Sequence, residues 1–517
     1  LAIDLGTGGP KVALVTLDGE VVACEFEPTR LDLLEGGGAE QDPDDWWRAI
    51  TVAWARVRER VDVRPEQVVG VGVTAQWSGT VPVDAEGKHV HPAIIWMDSR
   101  GAPHVEVLTD GLVKIAGYGA SKILAWLRKT GGAPGKSGKD PIAHILWLKN
   151  ERPEVYAAAH KFLEPKDYLN ARLTGKLAAS YDSIILHWVT DNRDIREIKY
   201  DQGLLALAGI SREQLPDLHP ATEILGPLRP EVAKELGLLP STPVITGTPD
   251  VQSAALGSGA VRDFEPHLYI GTSSWLTCHV PYKKTDILRN MASLPAPIPG
   301  RYFVANEQET AGECLDHLVD KLLFPGDALD LHGRPDDVYG LLNELAATAP
   351  VGSGGLIFTP WLYGERTPIE DHHVRAGFFN LSLSSTRAHL VRAVLEGVAY
   401  NSRWLLAAVE RFVNRRFDSI NVIGGGAKSD LWCQILADVL GREMRQVAEP
   451  IQANVRGVAL LTALALGHLD VDALAGRVEI QHTYQPRPEA QRVYEPLFSE
   501  FLNIYRQNRR TYARLNA

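Results

Sequence analysis

The sequence predicts an α/β protein of two related halves facing each other across a cleft. Three observations carry this. Strand-like and helix-like segments alternate along almost all of the 517 residues, the pattern of layered α/β folds. The chain opens on a strand, a glycine-rich turn and a second strand, "AIDLGTGGPKVAL" at residues 2–14. A later strand–turn–strand, "HLYIGTSSWLTCHVP" at 267–281, echoes it: Leu5-Gly6-Thr7-Gly8 matches Ile270-Gly271-Thr272-Ser273.

Residues 2–5 read as the first strand and 11–17 as the second. Asp18-Gly19 is a hairpin signal, and 20–26 completes a β-meander. Residues 46–61 read as a helix and 68–74 as a buried strand that runs into Gln76-Trp77. "AIIWMDSR", 93–100, is another strand end. "GGAPGKSGKDP", 131–141, reads as a flexible loop, and 143–150 and 153–160 as helices. "PVITGTPDVQSAALGSGAV", 243–261, is a strand, a turn and a helix, and reads as the hinge between the halves. "SINVIGGGAKSDLWCQILADVLG", 419–441, is a strand, a triple-glycine turn and a long helix.

Composition is that of a globular chain, 45% apolar and 23% charged. A formal charge of −11 argues against a nucleic-acid or membrane-surface partner, since both select a basic face. The four cysteines, Cys24, Cys278, Cys314 and Cys433, have neither metal-ligand spacing nor the density of a disulfide framework, which points to the cytoplasm. The apolar run at 458–466 is too short to span a bilayer, and no signal-peptide pattern is visible.

The opening loop gathers three glycines, Thr7, Lys11 and Asp4 around one turn. A P-loop needs G-x-x-x-x-G-K-[ST] running directly into a helix, whose N-terminus helps hold the phosphates. Lys11 leads into Val-Ala-Leu-Val, a strand. The dinucleotide fingerprint G-x-G-x-x-G also needs a helix, and residue 11 is Lys rather than Gly. What is left is a tight turn whose free N–H groups form an anion-binding concavity without a helix dipole. Thr7 adds a hydroxyl and Lys11 a charge. Asp4 would repel a bare phosphate but suits a metal bound to one. The same residues also read as a plain glycine-rich hairpin turn.

Taken with further stretches, this loop resembles the FGGY carbohydrate kinases. "DLGTGGPK" is similar to that family's first phosphate segment, D-x-G-T-[ST]-x-x-[KR], with Gly8 where a hydroxyl residue is common. "AEQDPDDWW", 39–47, resembles E-Q-[DN]-P-x-x-W-W. "GKDPIAHILWLKNERPEVY", 138–156, resembles the first signature, with His144 where Lys is usual. "RAGFFNLSLSSTRAHLVRAVLEG", 375–397, resembles the second, with Asn380 where Gly is common. "FTPWLYGERTP" and "GGGAKSDLWCQILADVLG" match as well. The resemblance covers nearly the whole chain. It implies two RNase H-like domains of the actin, sugar-kinase and Hsp70 type across a catalytic cleft: residues 1–246 with the sugar site and first phosphate loop, and residues 247–517 with the nucleotide site.

Phosphoryl transfer to a hydroxyl needs the phosphates and metal held, the hydroxyl in line, and a base for its proton. In "GTPDVQSAALG", Gly247, Asp250 and Ser253 match the family's G-x-x-D-x-x-[AS], which makes Asp250 the base. On local grounds alone Asp250 reads first as an N-cap for a helix from residue 251, and only the resemblance makes the base the better reading. The resemblance places Asp4 on Mg²⁺ through water. It places Thr7, Gly8, Lys11, Gly271, Thr272 and Ser273 on the phosphates, and Gly424, Gly425, Gly426 and Ala427 beside the ribose and adenine. Three glycines between a strand and a helix also read as no more than a tight connection.

For the sugar, xylulokinases read Q-M-H-G and W-x-D-x-R where this chain has Gln76-Trp77-Ser78-Gly79 and Trp96-Met97-Asp98-Ser99-Arg100. Gln76, Trp77, Asp98 and Arg100 are therefore the expected sugar contacts, although Asp98 and Arg100 alone would read as a surface ion pair. Glu365 and Arg366 in "GERTP" read as a structural turn or domain contact. The implied activity is ATP- and Mg²⁺-dependent phosphorylation of a terminal hydroxyl of a small-molecule sugar or polyol. D-Xylulose or a related pentulose is the first expectation, and Ser78 in place of His brings in ribulose, glycerol, a tetritol or an aldonate. A non-catalytic ATP-binding protein of the same fold is the rival from another class. Members of the family are often dimers, so a homodimer is expected.

Overall fold

The computed structural model describes residues 1–115, 117–328, 330 and 333–516. Both halves are built on the same hairpin. β1 (Ala2–Gly6) turns through Thr7-Gly8 into β2 (Gly9–Val15), with Gly6 opposite Gly9, and β3 (Val21–Phe26) extends the meander. The second strand starts two residues earlier than the apolar pattern predicts, because a two-residue turn closes the ladder at once. β4 (Gly72–Ala75) lies parallel to β1 on its free side, giving the order β3-β2-β1-β4.

In the second half β5 (Pro266–Ile270) turns into β6 (Ser274–Val280). The sheet is completed by β7 (Met291–Pro295), β8 (Tyr302–Ala305), β9 (Ser419–Ile423), β10 (Glu443–Val447) and β11 (Ile480–Tyr484). Its order runs from the short strand Thr285–Asp286 through β7, β8, β6, β5, β9 and β10 to β11. β9 is parallel to β5, as β4 is to β1. The short sequence echo is thus an echo of topology, and the two-domain α/β architecture expected from the sequence is the observed one.

Strand alternation sets which residues reach the cleft. Ile3 and Leu5 enter the first core with Val12, Trp46 and Val73, while Ala2 packs on the opposite face with Ala13. Asp4 shares that opposite face. In β5, Leu268 and Ile270 enter the large second core, which leaves His267 and Tyr269 on the other side.

Six helices matter for the site. α1 (Pro43–Arg60) is capped by Asp42, which accepts from the Asp44 N–H, and it buries Trp46, Trp47 and Trp54. α2 (Pro165–Thr174) underlies the first sheet, and α4 (Arg387–Val413) crosses the second core. α3 (Asp250–Gly257) and α6 (Ala453–Ala465) lie between the sheets, and α5 (Asp430–Leu440) follows the triple-glycine turn. Val455 and Val458 of α6 pack on Ala2 and Ala13 of the first sheet. Ala254 of α3 and Ala453 of α6 pack on Trp275, Ile423 and Val447 of the second. The helices meet backbone to backbone: a Cβ on Gly257 would lie 1.7 Å from the Ala453 carbonyl oxygen, and one on Gly457 1.8 Å from that of Ser253. α6 therefore packs on the first sheet although it lies late in the chain.

A helical lobe with Trp126, Ile142, Ile145, Trp188 and Leu205 forms a third core and takes in Leu294 and Phe303 from β7 and β8. The segment read as a flexible loop, 131–141, has no regular structure up to residue 140, a helix begins at Pro141, and the segment and the residues just before it are tied across to the second half. Thr285 Oγ1 donates to the Gly131 carbonyl, and Lys283 Nζ donates to the Arg128 and Lys129 carbonyls at 2.7 and 3.0 Å.

Candidate active site

The parallel pair β1 and β4 ends at one edge of the first sheet, so Thr7-Gly8 and Gln76-Trp77 emerge side by side. The parallel pair β5 and β9 does the same for residues 271–273 and 424–427. Crevices at the carboxyl ends of parallel strands are the usual ligand sites of such sheets. Among the described residues the backbone amides of Thr7, Gly8, Thr272 and Ser273 donate to no protein acceptor. They are free to bind an anion. Gly8 has open space where a Cβ would stand. A Cβ on Gly426 would lie 2.4 Å from Ile270 Cγ2, and one on Gly424 2.5 Å from the Ile270 carbonyl oxygen. Only glycines let this loop lie so close to Ile270, the last residue of β5. Gly425 is exposed and Ala427 buried, and Ser429 caps α5 by accepting from the Trp432 N–H at 3.1 Å.

Asp4 and Lys11 are register partners, so their side chains share a face. Lys11 Nζ stands 3.6 Å from Asp4 Oδ2, and Asn454 Nδ2 of α6 donates to Asp4 Oδ1 at 3.4 Å. Asp4 is 2% exposed. Burial pushes its carboxyl up, against the pull of Lys11 and Asn454. A buried carboxylate with only these two distant donors among the described residues suits a hydrated divalent cation.

Asp250 is the first residue of α3, and Pro249 is the N-cap. Asp250 Oδ1 accepts from the Val251 N–H at 2.8 Å. The expected capping role is thus reduced to a hydrogen bond at the helix's own first turn. Burial, and then the charge of Asp4, push the Asp250 carboxyl up to about 7. The approach to Asp250 is held rigidly. Gly247 sits at φ 71°, and a Cβ there would lie 2.2 Å from the Val73 carbonyl oxygen. Lys166 and Asn170 of α2 donate to the Thr246 carbonyl at 2.9 and 2.6 Å, and Thr248 Oγ1 donates to Asp182.

The expected sugar contacts divide. Trp77 is half-buried, donates from Nε1 to the Ser183 carbonyl at 3.0 Å, and faces Phe303 of β8 across the halves with ring centres 6.0 Å apart. Ser78 sits at φ 68° and donates to the Lys139 carbonyl at 2.8 Å. Gln76 is 3% exposed and belongs to a buried chain of hydrogen bonds: it accepts from Thr7 Oγ1 at 3.1 Å and donates to Gln41 Oε1 at 2.7 Å. Gln41 in turn accepts from Trp46 Nε1 and donates to the Thr7 carbonyl, while Trp96 Nε1 donates to Thr7 Oγ1 at 2.9 Å. Asp98 accepts from the Ala39 and Arg100 N–H groups and from Arg100 Nε. Arg100 reaches Glu40 at 2.6 Å and lies 3.9 Å over Trp147. The structure brings Trp77 and Gln76 beside the first loop. It pairs Asp98 and Arg100 with Glu40 in a largely buried strut, which replaces the surface ion pair that the two residues alone would suggest.

Several residues at the cleft carried no local sequence signal. Asn454 reaches Asp4 from 450 positions away. Arg366 pairs with Glu307 and with Glu309 at 2.8 Å, and the charge of Glu307 is felt at Asp250. Glu365 accepts from Asn401 Nδ2 at 2.6 Å. Glu365 and Arg366 were read from the sequence as a structural contact, whereas their partners Glu307, Glu309 and Asn401 carried no signal of their own.

Two family models match the chain: the N-terminal domain of the FGGY family of carbohydrate kinases over residues 1–257, and the C-terminal domain over residues 268–466. A gluconokinase of Bacillus subtilis (strain 168) is 27% identical over 509 residues, covering 98% of this chain and 95% of the relative. A xylulose kinase of Escherichia coli (strain K12) is 28% identical over 519 residues, 98% of each. Crystal structures of a gluconate kinase and of a ligand-bound xylulose kinase, both from Lactobacillus acidophilus, superpose with TM-scores of 0.85. Each is 26% identical, and 99% of each chain is covered.

Proposed function

The chain belongs to the FGGY family of carbohydrate kinases, and on that premise we propose that it transfers the γ-phosphoryl group of ATP to a terminal hydroxyl of a ketose, with D-xylulose or a related pentulose as the first candidate. The observation that carries this reading is Asp250, a fixed carboxyl at about 7 at the start of α3, beside Asp4. A base matched to neutral pH takes the hydroxyl proton as the sugar oxygen bonds to the γ-phosphorus and the bond to ADP breaks. The amides of residues 7–8 and 272–273, with Lys11, hold the phosphates. Residues 424–427 hold the nucleoside. Asp4 would hold Mg²⁺ through water, and the ion would neutralise phosphate charge. Trp77 offers an apolar face to the sugar. Gln76, Asp98 and Arg100 act behind it, fixing Thr7 and the wall of the sugar site. Closure of residues 1–246 on residues 247–517 would exclude water from the reacting phosphate.

An aldonate is the second reading, favoured by Lys139. Its carbonyl holds Ser78, and its ammonium lies 5.3 Å over the Tyr363 ring. Among the described residues it has no carboxylate partner within ion-pair distance, and burial pushes its pKa down. The test is a panel of ketoses, polyols and sugar acids scored by ADP release. A pentulose with the highest kcat/KM supports the first reading and a sugar acid the second. No sugar-dependent ADP release from any of them defeats both.

A further inference from the structure

The hairpin repeat has a consequence at the residue two positions before each loop glycine. In the first half that residue is Asp4, two before Gly6, and in the second it is Tyr269, two before Gly271. Both lie on strands that end in a phosphate loop, and both point away from the hydrophobic core of their half. Tyr269 is held by an aromatic partner. Its ring stacks on Trp275 of β6 with centres 3.9 Å apart and planes 7° from parallel, and the two are register partners across the hairpin. Trp275 is itself fixed, donating from Nε1 to His267 Nε2 at 3.2 Å.

The tyrosine ring leans over the loop. A Cβ on Gly271 would lie 2.2 Å from the Tyr269 hydroxyl oxygen and 2.4 Å from Cζ, and a Cβ on Gly424 would lie 3.1 Å from Cε2. The ring therefore sits between the second phosphate loop and the 424–427 loop, with its hydroxyl above Gly271. That hydroxyl has no hydrogen-bond partner among the described residues, and the ring is only partly buried. The charges of Asp250 and Asp4 both reach it.

We propose that Tyr269 is a phosphate-binding residue of this kinase, its phenolic hydroxyl donating to a β- or γ-phosphate oxygen over Gly271 and completing the clamp formed by the free amides of Thr272 and Ser273. Phosphate is the one ligand chemistry that fits: a donor without an acceptor, above two amides without acceptors, facing a carboxylate suited to a cation. The hydroxyl stays protonated throughout, so no proton is transferred from it. Tyr269 is a direct ligand in this role, rather than a support for Trp275.

The inference rests on the kinase reading, and its test separates the two. Tyr269→Phe keeps the ring and its stack and removes only the hydroxyl. Binding of AMP-PNP with Mg²⁺, and of AMP, is measured by titration calorimetry on wild type and variant, with thermal melts to confirm folding. Loss of a hydrogen bond to a charged group predicts about 10- to 100-fold weaker AMP-PNP binding, with AMP unchanged. Equal affinities of wild type and variant for AMP-PNP overturn the proposal, as does an equal loss for AMP, which would place the hydroxyl on the nucleoside or the α-phosphate. Tyr269→Leu, lacking both ring and hydroxyl, should show the same AMP-PNP loss. Should wild type bind AMP-PNP yet release no ADP with any sugar, the kinase reading fails while the Tyr269 contact stands.

Discussion

Replacing Asp250 by Asn removes one proton site and keeps the acceptor for the Val251 N–H, so it tests both the base and the cost of its charge. Between the ordinary aspartate value of 3.8 and about 7 the folded chain holds a proton that the unfolded chain has released. Stability therefore falls as pH rises through that window and levels off above about 7. Each pH unit in the window costs about 1.4 kcal/mol, so the ionised carboxylate costs up to about 4 kcal/mol at pH 8. Asp250→Asn should be the more stable protein at pH 8 and should match wild type near pH 4. Its turnover should fall about 10²–10⁴-fold, while AMP-PNP binding survives. For wild type, kcat/KM should rise with pH through about 7 as the base loses its proton. The assays are coupled ADP release across pH 5–9 and urea unfolding at each pH. A variant that keeps sugar-dependent ADP release refutes the base. A stability difference that does not change with pH refutes the burial argument.

Other perturbations follow from the same geometry. Lys11→Met removes the cation beside Asp4 and one arm of the phosphate site; kcat/KM for ATP should drop about 10- to 100-fold, read by initial rates against ATP at saturating sugar. Gln76→Leu strands the Thr7 hydroxyl and Gln41 in a buried setting and should cost about 1–3 kcal/mol in urea unfolding. Unchanged stability would mean that the Thr7–Gln76–Gln41 chain is not what fixes the loop. Gly457→Ala puts a methyl 1.8 Å from the Ser253 carbonyl oxygen. It should cost at least about 1–3 kcal/mol and lower turnover with it, whereas an active variant of wild-type stability would show that α3 and α6 part easily.

The two glycine-rich hairpin loops were legible in the sequence because such turns between strands are local objects: Gly6-Thr7-Gly8 and Gly271-Thr272-Ser273 need no distant partner to be recognised. Asp250 stood out as a candidate through its spacing from Gly247 and Ser253, and the structure puts it at the start of a helix. The strut that Asp98 and Arg100 make with Glu40 was not legible, because a polar residue at the end of a strand shows no partner in the sequence, and only the position of Glu40, Ala39 and Trp147 reveals it. Asn454 was hidden by sequence separation. Tyr269 was hidden by its own suitability, since an aromatic in a strand fits its propensity and raises no question until its hydroxyl is found without a partner.

The contact between α3 and α6 sets a dimension. α3 begins with Asp250, and α6 supplies the Asn454 that touches Asp4. Where the helices cross, at Gly257 and Gly457, no side chain stands between them. Their separation is therefore the thickness of two peptide backbones, a length that no rotamer change can alter. The spacing of the helix that begins at Asp250 and the helix whose Asn454 reaches Asp4 is gauged by main chain.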